Sequence, residues 1–187
     1  MNQGNVVKAD RRIQTVDLVY VAIGAALIAV CSWISIPTVV PFTLQTFAVF
    51  FILSLLGGKR GTLAILLYIL LGVVGLPVFA GFSGGIGALL RPSGGYIIGF
   101  LAMGLIYRAF IRTDAPKLWL EITALVVGLL ACYAFGTAWF MYVYIQDSGA
   151  VGLITVLGWC VFPVIIPDLV KMGLALAVAK RVRPALR

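Results

Sequence analysis

The sequence predicts an all-α membrane protein of six transmembrane helices with both termini cytoplasmic. Three observations carry that prediction. Hydrophobic residues make up 63% of the 187 and charged residues only 11%, where a soluble domain carries about 25% charged. Apolar runs approaching the length that crosses a bilayer, about 20 residues, follow one another with short breaks. Lys and Arg fall almost wholly on one side of those runs. A single integral membrane domain over residues 1–187 accounts for the length.

The first span covers residues 18–36 and stops at Pro37 and Pro41. Arg11 and Arg12 ahead of it give the look of a secretory signal. Val30 is too bulky for a lipobox before Cys31, however, and five further spans follow, so the segment reads as retained. The second span, 43–56, is short and is closed by Gly57-Gly58-Lys59-Arg60-Gly61. The third, 62–76, ends at Pro77. Residues 78–95 are too apolar for a solvated loop and too Gly-rich for a stable helix. Irregular backbone at membrane depth persists only where protein buries it or where it lines a cavity, so this segment is expected to be an extracellular lid between helices three and four. The remaining spans are 96–111, 118–145 and 151–179, the last bent by Pro163 and Pro167. Gly72, Gly75, Gly99 and Gly104 read as packing glycines.

Six spans place Lys8, Arg11, Arg12, Lys59, Arg60, Arg108, Arg112, Lys117, Lys180, Arg181, Arg183 and Arg187 on one side. Arg91 alone falls on the other, and Lys171 lies within a span. Basic residues collect on the cytoplasmic face, which puts both ends there. The net charge of +8 is thus a topology signal and gives no support to nucleic-acid binding. Trp139, Tyr142 and Tyr144 sit at the outer end of the fifth span, as an interfacial aromatic belt does.

The candidate chemistry concentrates in the sixth span. Asp168 and Lys171 stand three residues apart, and no other charge is read as lying deep in a span. Each costs about 2.5–3.5 kcal/mol at a bilayer centre, and i,i+3 spacing directs both from one helical face. An acceptor and a cationic donor facing inward recognise a polar, largely uncharged group, or else neutralise each other. The kink prolines beside them free backbone carbonyls, as in the small-molecule sites of transporters.

Other chemistries find less support. The chain has no histidine, which removes most metal sites and every His-based triad. Cys31, Cys132 and Cys160 are scattered without a CxxC spacing, so neither a metal nor a disulfide is expected. No G-x-x-x-x-G-K-[ST] occurs, and any ATP hydrolysis must come from another polypeptide. Gly81-Phe82-Ser83-Gly84-Gly85 matches a serine-nucleophile pattern, and only Lys171 is available as its base. An intramembrane Ser83–Lys171 hydrolase is therefore one alternative function, and an autonomous secondary carrier is another. On the first span Ala22 and Ala26, with Gly24, Ala25 and Ala29, form a small-residue face suited to close helix approach, inside the protein or against a membrane partner.

Four motifs, in order, point to a family: Thr43-Leu44-Gln45-Thr46, Gly75-Leu76-Pro77-Val78-Phe79-Ala80-Gly81, Pro92-Ser93-Gly94-Gly95-Tyr96 and Asp168-Leu169-Val170-Lys171. Together they resemble the biotin-specific substrate-capture (S) component of energy-coupling factor (ECF) transporters, the BioY family, over nearly the whole chain. The resemblance implies a multi-pass protein of a prokaryotic cell membrane that binds biotin from outside. It further implies delivery inward with a transmembrane coupling (T) protein and a pair of ATPase subunits, without a cofactor of its own. It assigns the ureido ring to Asp168 and Lys171, whose acceptor and donors complement its two N–H groups and one carbonyl. It adds Ser83, with neighbouring Gly84 in the substrate-binding set, as a second contact to the ureido ring, Thr43 and Gln45 as residues closing over the site, and Tyr96 as support for the Gly94-Gly95 turn. Ala22 and Ala26 become the strip that docks on the coupling protein. One departure stands out. The family usually has Gly where this chain has Arg91, which either meets the valerate carboxylate of biotin or stays solvated beside the lid.

Overall fold

A computed structural model describes residues 14–113 and 116–186. Lys8, Arg11, Arg12 and Arg187, used above for topology, lie outside the described residues. The chain runs through α1 (Thr15–Trp33), a hairpin of β1 (Ser35–Ile36) and β2 (Phe42–Thr43), then α2 (Gln45–Val73), α3 (Ile86–Leu90) and α4 (Gly94–Phe110). It continues as α5 (Leu118–Ser148), α6 (Leu153–Cys160) and α7 (Phe162–Val182), with 3-10 turns at Ala80–Phe82 and Arg183–Leu186. By length and composition α1, α2, α5 and α7 with its 3-10 extension are each able to cross a membrane, and α4 is a shorter apolar helix.

Helix α2 is not one rod. Twenty-three helical steps of 1.5 Å would part Gln45 and Tyr68 by about 35 Å, yet Gln45 Nε2 donates to Tyr68 Oη at 2.8 Å. The chain reverses at Gly57, whose φ of 79° and ψ of 173° favour a residue without a Cβ. The runs read as spans 43–56 and 62–76 therefore lie antiparallel. Their separation is one residue, where the run Gly57 to Gly61 had suggested five, because Lys59, Arg60 and Gly61 are already helical.

The sixth run also differs from expectation. It breaks at Val161 (φ −118°, ψ −54°), ahead of both prolines. Pro163 then sits in the first turn of α7, where no N–H partner is needed. The helix passes through Pro167 without ending.

Glycines set a close contact between helices along α4 and α5. A Cβ on Gly95 would lie 2.3 Å from Trp139 Cβ, one on Gly99 3.1 Å from Cys132 Cα, one on Gly128 2.7 Å from Met103 Cγ, and one on Gly136 2.3 Å from the Tyr96 ring. The two helices thus exchange glycines, each meeting a side chain of the other, the small-residue packing expected in a membrane. Gly72 acts similarly under the Gly-rich segment, since a Cβ there would lie 2.0 Å from the buried Phe79 ring. Gly75 is different: it has a φ of +106° and open space around it, so it makes a turn and packs nothing.

The Gly-rich segment is tied to α1. Ser32 Oγ donates to Val78 O at 2.6 Å, and Trp33 Nε1 donates to Pro77 O at 2.9 Å. Trp33 also stacks on Phe82 with ring centroids 5.1 Å apart. At the far end of α7, a second buried ion pair corrects the expectation that Asp168 and Lys171 are the only deep charges. Glu121, wholly buried, accepts at Oε1 from Arg183 Nη2 (2.5 Å), Ser54 Oγ (2.7 Å) and Tyr107 Oη (3.0 Å). This cluster ties α2, α4 and α5 to the end of α7.

Candidate functional site

Helix α7 carries Asp168 and Lys171 into the interior beside α2, α5 and the hairpin. Both are buried, and their side chains form an ion pair, Nζ to Oδ1, at 2.9 Å. Thr46 Oγ1, in the first turn of α2, donates to Asp168 Oδ1 at 2.8 Å, and Tyr133 Oη of α5 donates to Oδ2 at 2.6 Å. The ammonium donates to Thr43 O (2.7 Å), Thr46 Oγ1 (3.1 Å) and Asp168 Oδ1. Its three N–H donors are thereby all engaged. The Phe42 ring lies 3.9 Å from Nζ, a cation–π contact that closes the remaining side.

Three separate elements thus converge on one carboxylate and one ammonium. A buried pair is tolerable only when its remaining donors and acceptors are met, and here the hydroxyls of Thr46 and Tyr133 and the Thr43 carbonyl meet them. One capacity is left over. Each carboxylate oxygen accepts about two hydrogen bonds, and Oδ2 has a single protein donor.

A cavity of about 80 Å³ adjoins the pair, with Phe42, Gln45, Thr46, Ser93, Tyr96 and Tyr133 in its wall. Small-molecule sites usually measure about 300–1,000 Å³, so this cavity is smaller than a usual ligand site. The hairpin in its wall is small, two residues deep on each side with Ser35 opposite Thr43 and Ile36 opposite Phe42.

The residues predicted from sequence divide into two groups. Asp168, Lys171, Thr43, Gln45 and Tyr96 come together around this cavity. Gln45 contributes through its bond to Tyr68. Tyr96 lies against Gly136 and shares a hydrogen bond with Thr137 at 3.1 Å, so it joins α4 to α5 and lines the cavity. Ser83 and Gly84 are not in the cavity wall. Ser83 Oγ donates to Ala80 O at 2.8 Å, and Gly84 packs on the Leu76 carbonyl. From this segment Ala80 reaches the wall. Ser83 and Lys171 are consequently not paired as nucleophile and base. Arg91 is exposed, and its carbonyl accepts from Trp139 Nε1 at 3.1 Å. Ala22 and Ala26 are exposed on α1, while Gly24, Ala25 and Ala29 are buried, which separates the small residues into an outer and an inner face. Among the described residues no group of three His, Cys, Asp or Glu side chains is placed to hold a metal.

Sequence reasoning missed Tyr133, Thr46, Phe42 and Ser93. Thr46 and Ser93 each lie within one of the family motifs. Tyr133 left a weaker signal, a phenol deep in an apolar run far from the aromatic belt.

The sequence profile of the BioY family matches residues 5–187. The chain belongs to the BioY family. It is 38% identical to the biotin transporter BioY of Thermotoga maritima, over 89% of this chain and 95% of that protein. It is 40% identical to a probable biotin transporter BioY of Pyrococcus horikoshii, over 87% and 93% respectively. Among solved structures, the S-component for biotin from an ECF-type ABC transporter superposes with a TM-score of 0.76 at 28% identity, covering 90% of each chain. These family members are transporters and not enzymes, which removes the hydrolase alternative.

Proposed function

We propose that this chain captures biotin with high affinity at Asp168 and Lys171 and serves as the substrate-binding subunit of an ATP-driven ECF-type uptake system. The observation that carries the proposal is the convergence of Thr43, Thr46 and Tyr133 on that buried pair, in a member of the BioY family. In this reading the free acceptor capacity of Asp168 Oδ2 takes a ureido N–H. The ureido carbonyl takes the Lys171 donor that Thr43 O holds at 2.7 Å. Exchange of one carbonyl for another keeps every donor satisfied and so avoids the cost of a stranded buried group. It also couples ligand entry to withdrawal of β2, since Thr43 and Phe42 both belong to that strand.

The same reading has six spans: α1, the two halves of α2, α4, α5, and α6 with α7. Both termini are cytoplasmic, on the strength of the one-sided Lys and Arg distribution. The hairpin and the Gly-rich segment then form the outer cover, with Ser83 and Gly84 as second-layer support for Ala80. The partners are a transmembrane coupling protein, docked on Ala22 and Ala26, and a pair of ATPases. Purification of the full chain in detergent tests the capture role. Biotin is expected to co-purify and to be displaced by excess desthiobiotin. Protein that neither retains biotin nor takes it up when offered contradicts it.

A further inference from the structure

At the end of the bundle away from Asp168, five cations line one cavity of about 810 Å³: Lys59, Arg60, Arg108, Arg112 and Arg183. Two of them have partners in the protein. Arg60 pairs with Asp17 at 2.5 Å and lies 5.6 Å from the Tyr20 ring centroid, and Arg183 is held by Glu121. Among the described residues the other three, Lys59, Arg108 and Arg112, have no carboxylate within ion-pair distance. All three are exposed.

The backbone brings these like charges together. A Cβ on Gly58 would lie 2.5 Å from Arg108 Cα, so the start of the second half of α2 touches the last turn of α4. Lys59 therefore follows the contact point on one helix while Arg108 occupies it on the other. Like charges gathered in a concave site raise the local potential and favour a bound anion. Leu55, Leu56, Leu63 and Leu105 line the same cavity, so apolar surface stands beside the cations. An anionic ligand with an apolar continuation matches both kinds of surface.

We propose that this cavity binds the phosphate-bearing headgroup of an anionic phospholipid. Lys59, Arg108 and Arg112 contact the phosphate, and an acyl chain follows Leu63 and Leu105. Basic pockets between membrane helices on the cytoplasmic side are suited to such headgroups, and the proposal rests on the membrane orientation given above. An acidic segment of a partner protein would use the same cations but would have no need of the leucine wall.

The test uses the full chain in a non-ionic detergent, titrated with phosphatidylglycerol, phosphatidylcholine, inorganic phosphate and a short polyglutamate peptide, with lipid adducts read by native mass spectrometry. The wild type is expected to prefer phosphatidylglycerol to phosphatidylcholine. A Lys59→Gln, Arg108→Gln, Arg112→Gln variant is expected to bind phosphatidylglycerol about 100-fold more weakly, each cation beside an anionic headgroup contributing about fivefold. Its biotin binding stays unchanged, and a Lys59→Arg, Arg108→Lys, Arg112→Lys variant keeps the lipid. Equal binding of the two lipids by the wild type overturns the proposal even if the neutralised variant fails to fold. So does full displacement of lipid by inorganic phosphate or by polyglutamate at equal concentration. Wild-type protein that prefers phosphatidylglycerol but ignores biotin would sink the capture reading and leave this one standing.

Discussion

At the scale of single residues, the site is a carboxylate and an ammonium whose hydrogen-bonding capacity is almost fully used inside the protein. The spare acceptor of Asp168 Oδ2 is shaped by Tyr133, whose hydroxyl donates to it at 2.6 Å. A hydrogen bond to a charged group contributes about 1.5–3 kcal/mol, so Tyr133→Phe is expected to weaken biotin binding about 10-fold to 100-fold. Isothermal titration of the purified variant measures it, and unchanged affinity would reduce Tyr133 to a cavity wall. The charges of this site were legible in the sequence because a charge in an apolar run has few bland explanations. Tyr133 was not, since a tyrosine among Leu, Ala and Phe reads equally well as core. Ser83 and Gly84 show the opposite case. Their motif is conspicuous, yet the hydroxyl closes a local turn on Ala80 instead of facing Lys171.

At the scale of elements, glycine decides how near α4 approaches α5 and therefore where Tyr96 stands beside the cavity. Gly136→Ala would drive a methyl group to 2.3 Å from the Tyr96 ring. Overpacking of this kind costs about 1–3 kcal/mol. Thermal unfolding in detergent is expected to show a lower midpoint together with weaker biotin binding, because the displaced ring lines the site; a wild-type midpoint would mean that the seam relaxes freely. On α1, Ala22 and Ala26 are exposed while their small neighbours are buried. A bulky side chain there alters the outer face alone. Ala22→Trp is expected to leave biotin affinity at the wild-type value and to abolish ATP-dependent uptake by vesicles holding the whole transporter. Normal uptake would remove this strip from the docking surface. Most elements were readable from hydrophobic runs and their Pro or Gly ends. The reversal at Gly57 was readable as a break but not as a one-residue turn, because the charges of Lys59 and Arg60 looked like loop and are helical. The break before α7 was placed at the prolines, whereas Val161 takes the distortion and leaves Pro163 in a first turn that tolerates it.

At the scale of the whole molecule, α7 links two buried ion pairs, Asp168 with Lys171 and Glu121 with Arg183, over about 20 Å of helix. The first joins α7 to the hairpin, α2 and α5. The second joins its far end to α2, α4 and α5 through Ser54, Tyr107 and Glu121. The bundle is thus fixed at both ends of one helix, and in the proposed function β2, held there through Thr43 and Lys171, is the part that gives way to a ligand. Glu121 escaped sequence reasoning because an acidic residue near the start of a span resembles an ordinary helix-end charge. The most direct test of the account is the affinity for biotin of folded, monodisperse Asp168→Ala protein against wild type, by equilibrium titration in detergent. Loss of a charge-assisted acceptor, with Lys171 left without its counter-charge, predicts weakening by at least about 2 kcal/mol, or roughly 30-fold. Equal affinity in the two proteins would contradict the assignment of the ureido group to this pair.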